Sequence, residues 1–336
     1  MDIPQYIYAL LIAGAVLHTP LHAADLMEIY REALEQDAQY SAARAAHQAA
    51  QEKLPQGRAG LLPTLTLSGV RRRQLIDRVG HPEVSIDNSS LTVTATQPLY
   101  RKENFSIYEQ SKIQVTQADS QFVIAAQDLI LRVAQAYFDV LSSQVNVEVA
   151  EAQKKAIGEQ LGQAKRNFEV GTSTIVDTYE AQARFDLTVS QEIAAKNDLE
   201  IRKRTLQQII GRMPDSFIRP NEQAADLLTL KYANMQDWIN VAEQNNLALK
   251  VQQAVYEIAK PDVERAKAGH YPTLDLVARY SDQKGGGCTI TGVGFNLSST
   301  AIGVQLNLPL FQGLAVRSRE RDALASARRL VHLAEG

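Results

Sequence analysis

The chain has 336 residues, 45% hydrophobic and 22% charged, with a formal net charge of -3 and an isoelectric point near 6.1. That length supplies one or two domains with a sizeable buried surface, and the charge balance gives nucleic acid no electrostatic foothold. One cysteine, Cys288, excludes an internal disulfide and any multi-thiolate metal site. The six histidines, at positions 18, 22, 47, 81, 270 and 332, lack the spacing and neighbouring carboxylates of a metal-binding helix. No G-x-S-x-G elbow or paired histidine and carboxylate arrangement marks a hydrolase, so no catalytic, cofactor or metal residue is expected and the chain reads as a non-enzyme.

Tyr6 to Leu17 is an apolar run of 12 residues, followed by Pro20 and the small pair Ala23-Ala24. As a helix it rises only about 18 Å, short of a bilayer core of about 30 Å. Residues 1–24 therefore read as a secretory signal peptide, although MDIPQ carries no Lys or Arg; a buried core helix is the other reading.

From residue 25 long helices are interrupted by two patches of strand-like alternation, expected at about 63–99 and 272–309. In the first, Leu65 and Leu67 precede Leu91, Val93 and Ala95, which alternate with Thr92, Thr94 and Thr96. A stretch without proline follows between Pro98 and Pro214, predicting helix from about Lys102 to Phe168, roughly 100 Å long. Within it Phe122, Ala126, Leu129, Val133, Ala136 and Val140 follow the 4,3,4,3,4 spacing of a coiled-coil seam. Val170-Gly171-Thr172-Ser173 breaks this helix, with Gly171 supplying the turn, and a returning helix runs from Thr174 to Gln208.

Residues 213–235, with Pro214 and Pro220, read as a linker. Trp238 to Lys267 is a second helical stretch in which Pro261 is expected to bend or break the helix. The second strand patch copies the first. Ala59-Gly60, Pro63-Thr64-Leu65 and Leu67 match Ala268-Gly269, Pro272-Thr273-Leu274 and Leu276 at a displacement of 209, and Pro98-Leu99-Tyr100 matches Pro309-Leu310-Phe311 at 211. Two collinear matches describe a duplicated unit, giving a first repeat at 25–212 and an incomplete second at 236–336. Ile302, Val304, Leu306 and Leu308 alternate with Gly303, Gln305 and Asn307, and the displacement sets apolar on apolar. Such alternation is that of a transmembrane barrel strand, with the apolar set toward lipid and Gln305 and Asn307 toward the lumen; a half-buried soluble sheet gives the same pattern.

In these residues the chain resembles the TolC family of outer-membrane efflux proteins. The resemblance rests on Ala136-Tyr137-Phe138-Asp139-Val140-Leu141, on Phe168-Glu169-Val170-Gly171 leading through Thr174-Ile175-Val176-Asp177 to Glu180-Ala181-Gln182, and on the twin strand starts Leu62-Pro63-Thr64-Leu65 and Tyr271-Pro272-Thr273-Leu274. It implies a mainly α fold with a membrane β part: long antiparallel helices form an α-helical barrel across the periplasm, and four strands per chain enter a shared trimeric β-barrel in the outer membrane. It further implies a passive exit duct for efflux or type I secretion, working with a periplasmic adaptor and an inner-membrane ABC or proton-driven transporter. Asp177 looks like the family's periplasmic gate carboxylate; a charge favourable to the helix dipole is the plainer reading. Only 25 residues follow Phe311, so most of the second helix pair is missing and the chain looks like a truncated member. On that reading the seam at Leu129, Val133 and Ala136 would lack a neighbour and lie open. A periplasmic coiled-coil adaptor is the alternative function, which accounts for the helices but not for the duplicated strands. Cargo identity is not written in these residues.

Overall fold

The computed structural model describes residues 25–214, 216–219, 234–286 and 294–335. The signal-peptide reading, Cys288 and most of the 213–235 linker fall outside the described residues. Helix α1 (Leu26–Gln36) starts behind Asp25, whose carboxylate accepts the Leu26 N–H, and stops at Asp37. Asp37 is extended and begins the next helix, α2 (Ala38–Gln51), by accepting the Tyr40 N–H at 2.7 Å. A short α3 (Lys53–Ala59) leads into strand β1 (Thr64–Arg78), which turns into β2 (His81–Tyr100). Helix α4 (Lys102–Glu169) then runs for 68 residues, and α5 (Ile175–Ile210) follows the break at 170–174.

The second half repeats this order. Helix α6 (Met235–Asn245) ends at Asn246, whose side chain caps α7 (Leu247–Ala268) by accepting the Ala248 N–H at 2.8 Å. Asn246 stands where Asp37 falls after a shift of 209, so the duplication reaches the helix breaks as well as the strands. Strands β3 (Thr273–Gly285) and β4 (Phe295–Asn307) and helix α8 (Ala315–Glu335) complete the copy. Pro261 corrects an expectation. It costs α7 one backbone hydrogen bond, yet the helix continues through it, held against α8, and the break falls at Asn246.

The four strands form one antiparallel sheet in the order β1-β2-β3-β4, leaving β1 and β4 as edges. By contacts the chain divides into two compact units. One holds the described residues 25–42 and those from 126 to 219, and its core is Ile29 and Ala33 of α1, Leu129, Val133, Val140 and Leu141 of α4, and Leu206 and Ile210 of α5. The seam expected to lie open is therefore closed. Leu129 and Val140 have no exposed surface, because α1 and α5 pack together in this unit and α4 is tied to the α1–α2 junction. A second stripe of α4 is the open one: Leu131, Phe138 and Val145 recur every seventh residue and are 67%, 46% and 44% exposed. The other unit holds residues 43–125 and from 232 on, with the sheet, α7 and α8. In it Gly269 lies so close to Val316 that a Cβ would sit 2.9 Å from the valine methyl, which lets the end of α7 press against α8.

Candidate functional site

Paired residues of an antiparallel sheet project to the same face, so the register sorts the sheet into two surfaces. Leu65 pairs with Ala95, Ala95 with Ala278, and Ala278 with Ile302; Leu274 pairs with Leu306 and Leu276 with Val304. One face is thus an apolar band across all four strands. The other carries Thr66, Thr94, Arg279 and Ala301 on one row and Ser68, Thr92, Ser281 and Ser299 on the next. Thr92 and Ser281 join hydroxyls at 3.1 Å across the middle of that face.

Ile302, Val304 and Leu306 lie on the apolar face and are 76%, 61% and 65% exposed. Gln305 and Asn307 lie on the polar face, also exposed. Leu308, expected within the strand, falls one residue beyond β4, which ends at Asn307. Among the described residues no helix is long and apolar enough to cross a membrane.

Two ion pairs brace the elements around the sheet and the helices. Arg101, between β2 and α4, gives a two-pronged hydrogen bond to Asp275 of β3 at 2.8 and 2.7 Å, and Asp275 is buried. Arg132 of α4 does the same to Asp37 at 2.8 and 2.9 Å. The Arg132 hydrogen bonds hold the Asp37 carboxyl below its ordinary value, against the opposing effect of burial, with the Tyr40 N–H helping. Where α4 and α5 run together, Lys196 reaches Glu192 at 2.6 Å and Glu151 at 2.9 Å, and these hydrogen bonds push its ammonium up to about 12. Sequence reading missed all of these. For Asp37 the signal was present: Asp and Asn, both strong helix caps, stand at equivalent positions of the two copies.

At the far end of α4, Gly171 has φ 78°, and the Thr172 N–H returns to the Asn167 carbonyl at 2.8 Å, closing the helix with a left-handed residue. Thr174 then caps α5. Its hydroxyl accepts the Asp177 N–H, while the Asp177 carboxylate accepts the Thr174 N–H at 2.8 Å and the Thr174 hydroxyl at 2.9 Å. These bonds, that from the Thr174 N–H first, keep the Asp177 carboxyl below its ordinary value. Asp177 thus has a structural task, and it is exposed at the tip. Gly171→Val would force a branched side chain into a positive φ, costing about 1 to 3 kcal/mol, while Gly171→Asn should cost less. Protease sensitivity at 168–175 should rise in the valine form alone.

Comparison with known proteins places this geometry. The family model described as "Outer membrane efflux protein" matches residues 29–212 and 238–333. The outer membrane protein TolC of Vibrio cholerae is 32% identical over 330 residues, covering 96% of this chain and 72% of that protein. The alkaline protease secretion protein AprF of Pseudomonas aeruginosa is 31% identical over 328 residues, covering 95% of this chain and 66% of AprF. Among solved structures, CusC aligns with a TM-score of 0.78 at 15% identity, over 93% of this chain and 72% of that one. VceC from Vibrio cholerae aligns with a TM-score of 0.72 at 19% identity, over 93% of this chain and 74% of that one. The two matched segments of the family model meet the duplicated halves, each with its capped helices and its hairpin of two-faced strands, and on that agreement the chain belongs to the outer membrane efflux protein family.

Proposed function

We propose that the chain works in the outer membrane as part of a trimeric exit duct, a passive path for efflux or type I secretion with the helices in the periplasm. The observation that carries this reading is the two-faced sheet with open edges. Unpaired N–H and C=O groups on β1 and β4 would each cost several kcal/mol in lipid, and pairing β4 of one copy with β1 of the next removes both edges. Cyclic symmetry closes such a ring. The open stripe at Leu131, Phe138 and Val145 supports neighbouring helices standing side by side.

In this reading Ile302, Val304 and Leu306 face lipid, with Leu308 at the band's edge, and Gln305 and Asn307 face the lumen. Asp177, held at the hairpin tip, is the gate carboxylate, and Gly171 is the turn that places it. The partners are a periplasmic adaptor and an inner-membrane ABC or proton-driven transporter. Residues 1–24 direct export, and 25–212 and 236–336 are the two repeats joined by 213–235. Passage depends on lumen width and lining charge, with no chemistry on the cargo. The test is fractionation of cells expressing the chain. Heat-modifiable trimers in the outer membrane, linked by a disulfide between cysteines placed on β4 and β1, are expected; a soluble periplasmic form without that link would favour an adaptor instead.

A further inference from the structure

The polar face of the sheet has an uneven charge distribution. Short of the register shift after Ile76, its positions on the described strands carry one carboxylate, Asp275, and two guanidinium groups, Arg72 and Arg279. Asp275 is buried and held by both prongs of Arg101, so its charge is already met from outside the strands. Arg72 and Arg279 are exposed, and among the described residues neither has an ion pair or a side-chain hydrogen bond. Asp87 and Asp282 sit on the opposite face, where Asp87 takes both prongs of Arg73.

The arginine-bearing face is also the hollowed one. A cavity of about 720 Å³ opens on it, lined by Arg72, Gln74, Asn88 and Gln283 together with apolar side chains such as Ile86 and Phe295. Arg279 is paired with Thr94, and Arg72 with Asn88, six register steps further along β2, which is roughly 20 Å. Two levels of positive charge without an ion partner among the described residues therefore stand on the polar face, Arg72 at the cavity and Arg279 in a row with Thr66, Thr94 and Ala301.

We propose that the barrel end of the duct selects for anionic cargo groups, with Arg279 and Arg72 forming two successive rings that draw carboxylate-bearing segments outward. This rests on the reading of the polar face as the lumen. Arg279 stands in a row with Thr66, Thr94 and Ala301, and Arg72 in a row with Asn88, Gly285 and Phe295, so each guanidinium is exposed on its face and attracts an anion without enclosing it. Such weak, repeated sites suit passage: an anion gains on approach and still leaves. In a trimer each ring would hold three arginines, and the small neighbours Ala301 and Ser299 leave the guanidinium groups free to follow the cargo.

The test places a cysteine beside the inner ring. In a form whose single cysteine is replaced (Cys288→Ser), Thr94→Cys puts a thiol opposite Arg279, and its modification by an anionic sulfonatoethyl and by a cationic trimethylammonium-ethyl methanethiosulfonate is timed in outer-membrane vesicles. The anionic reagent should react about fivefold faster relative to the cationic one than with a free thiol at low salt, and the preference should shrink at high salt. Arg279→Gln should erase the local preference and Arg279→Glu should invert it, with Arg72→Gln affecting the thiol of Asn88→Cys in the same way. If both reagents reach the thiol at position 94 and their rate ratio ignores Arg279, the anion-selecting rings are overturned while the lumen stands. If neither reagent reaches that thiol until the protein is unfolded, the face is not a lumen and both readings fail.

Discussion

Val304→Arg is expected to abolish stable assembly in the outer membrane. Val304 lies on the apolar face, paired with Leu276 and flanked along β4 by Ile302 and Leu306, so an arginine there is set directly among apolar side chains. In the proposed trimer a charge near the bilayer midplane costs about 2 to 4 kcal/mol per chain, and three chains multiply the cost. One step along the same strand the outcome should reverse. Gln305→Arg projects to the polar face and should assemble normally. Trimer yield in isolated outer membranes reads both variants, and equal yields would remove the basis for a lipid-facing band.

The second large effect concerns the pair at the α1–α2 junction. Asp37 is buried with a side chain 4% exposed, whereas Arg132 keeps 32% of its side chain in solvent. Arg132→Ala leaves the carboxylate buried without its charge partner and should cost about 2 to 3 kcal/mol, less than a fully enclosed pair because water still reaches one side. Asp37→Asn should be milder, since asparagine is as good a helix cap, as Asn246 shows in the second copy, and the freed Arg132 can turn to solvent. Asp37→Ala loses the cap too, for about 1 kcal/mol more.

The same pair predicts an acid limit. Its folded carboxyl lies below its ordinary value, so its stabilisation is complete above the unfolded carboxylate value of about 3.9 and is lost as pH falls through the lower folded value. The thermal stability of the unaltered chain should therefore fall below about pH 4. In Asp37→Asn the drop should be shallower, and an unchanged acid profile would show that the pair contributes nothing.

Most of the architecture was legible because it rests on short-range rules. Proline-free length marked α4 to within a residue, glycine at 171 marked its end, and the displacement between the two P-T-L segments located both hairpins. Strand ends were less visible. Leu308 shares the alternation of β4, but pairing stops with Asn307 opposite Thr273, a limit set by the partner strand and absent from the local pattern. Tertiary facts were missed for the same reason. The burial of Leu129 and Val133 depends on α1 and α5, which lie far apart in the chain, and Pro261 reads as a break until α8 is seen against its helix. The arginine pairs on Asp37 and Asp275 join positions 95 and 174 residues apart, beyond any local motif.

The central claim is that one face of β4 meets lipid while the other lines an aqueous duct. Nitroxide scanning of positions 301–307 in outer-membrane vesicles, comparing collision with oxygen and with a water-soluble nickel chelate, tests it directly. Oxygen access should peak at 302, 304 and 306 and nickel access at 301, 303, 305 and 307, a period of two along the strand. Nickel access at both sets of positions alike, with no excess of oxygen at 304, would contradict the account.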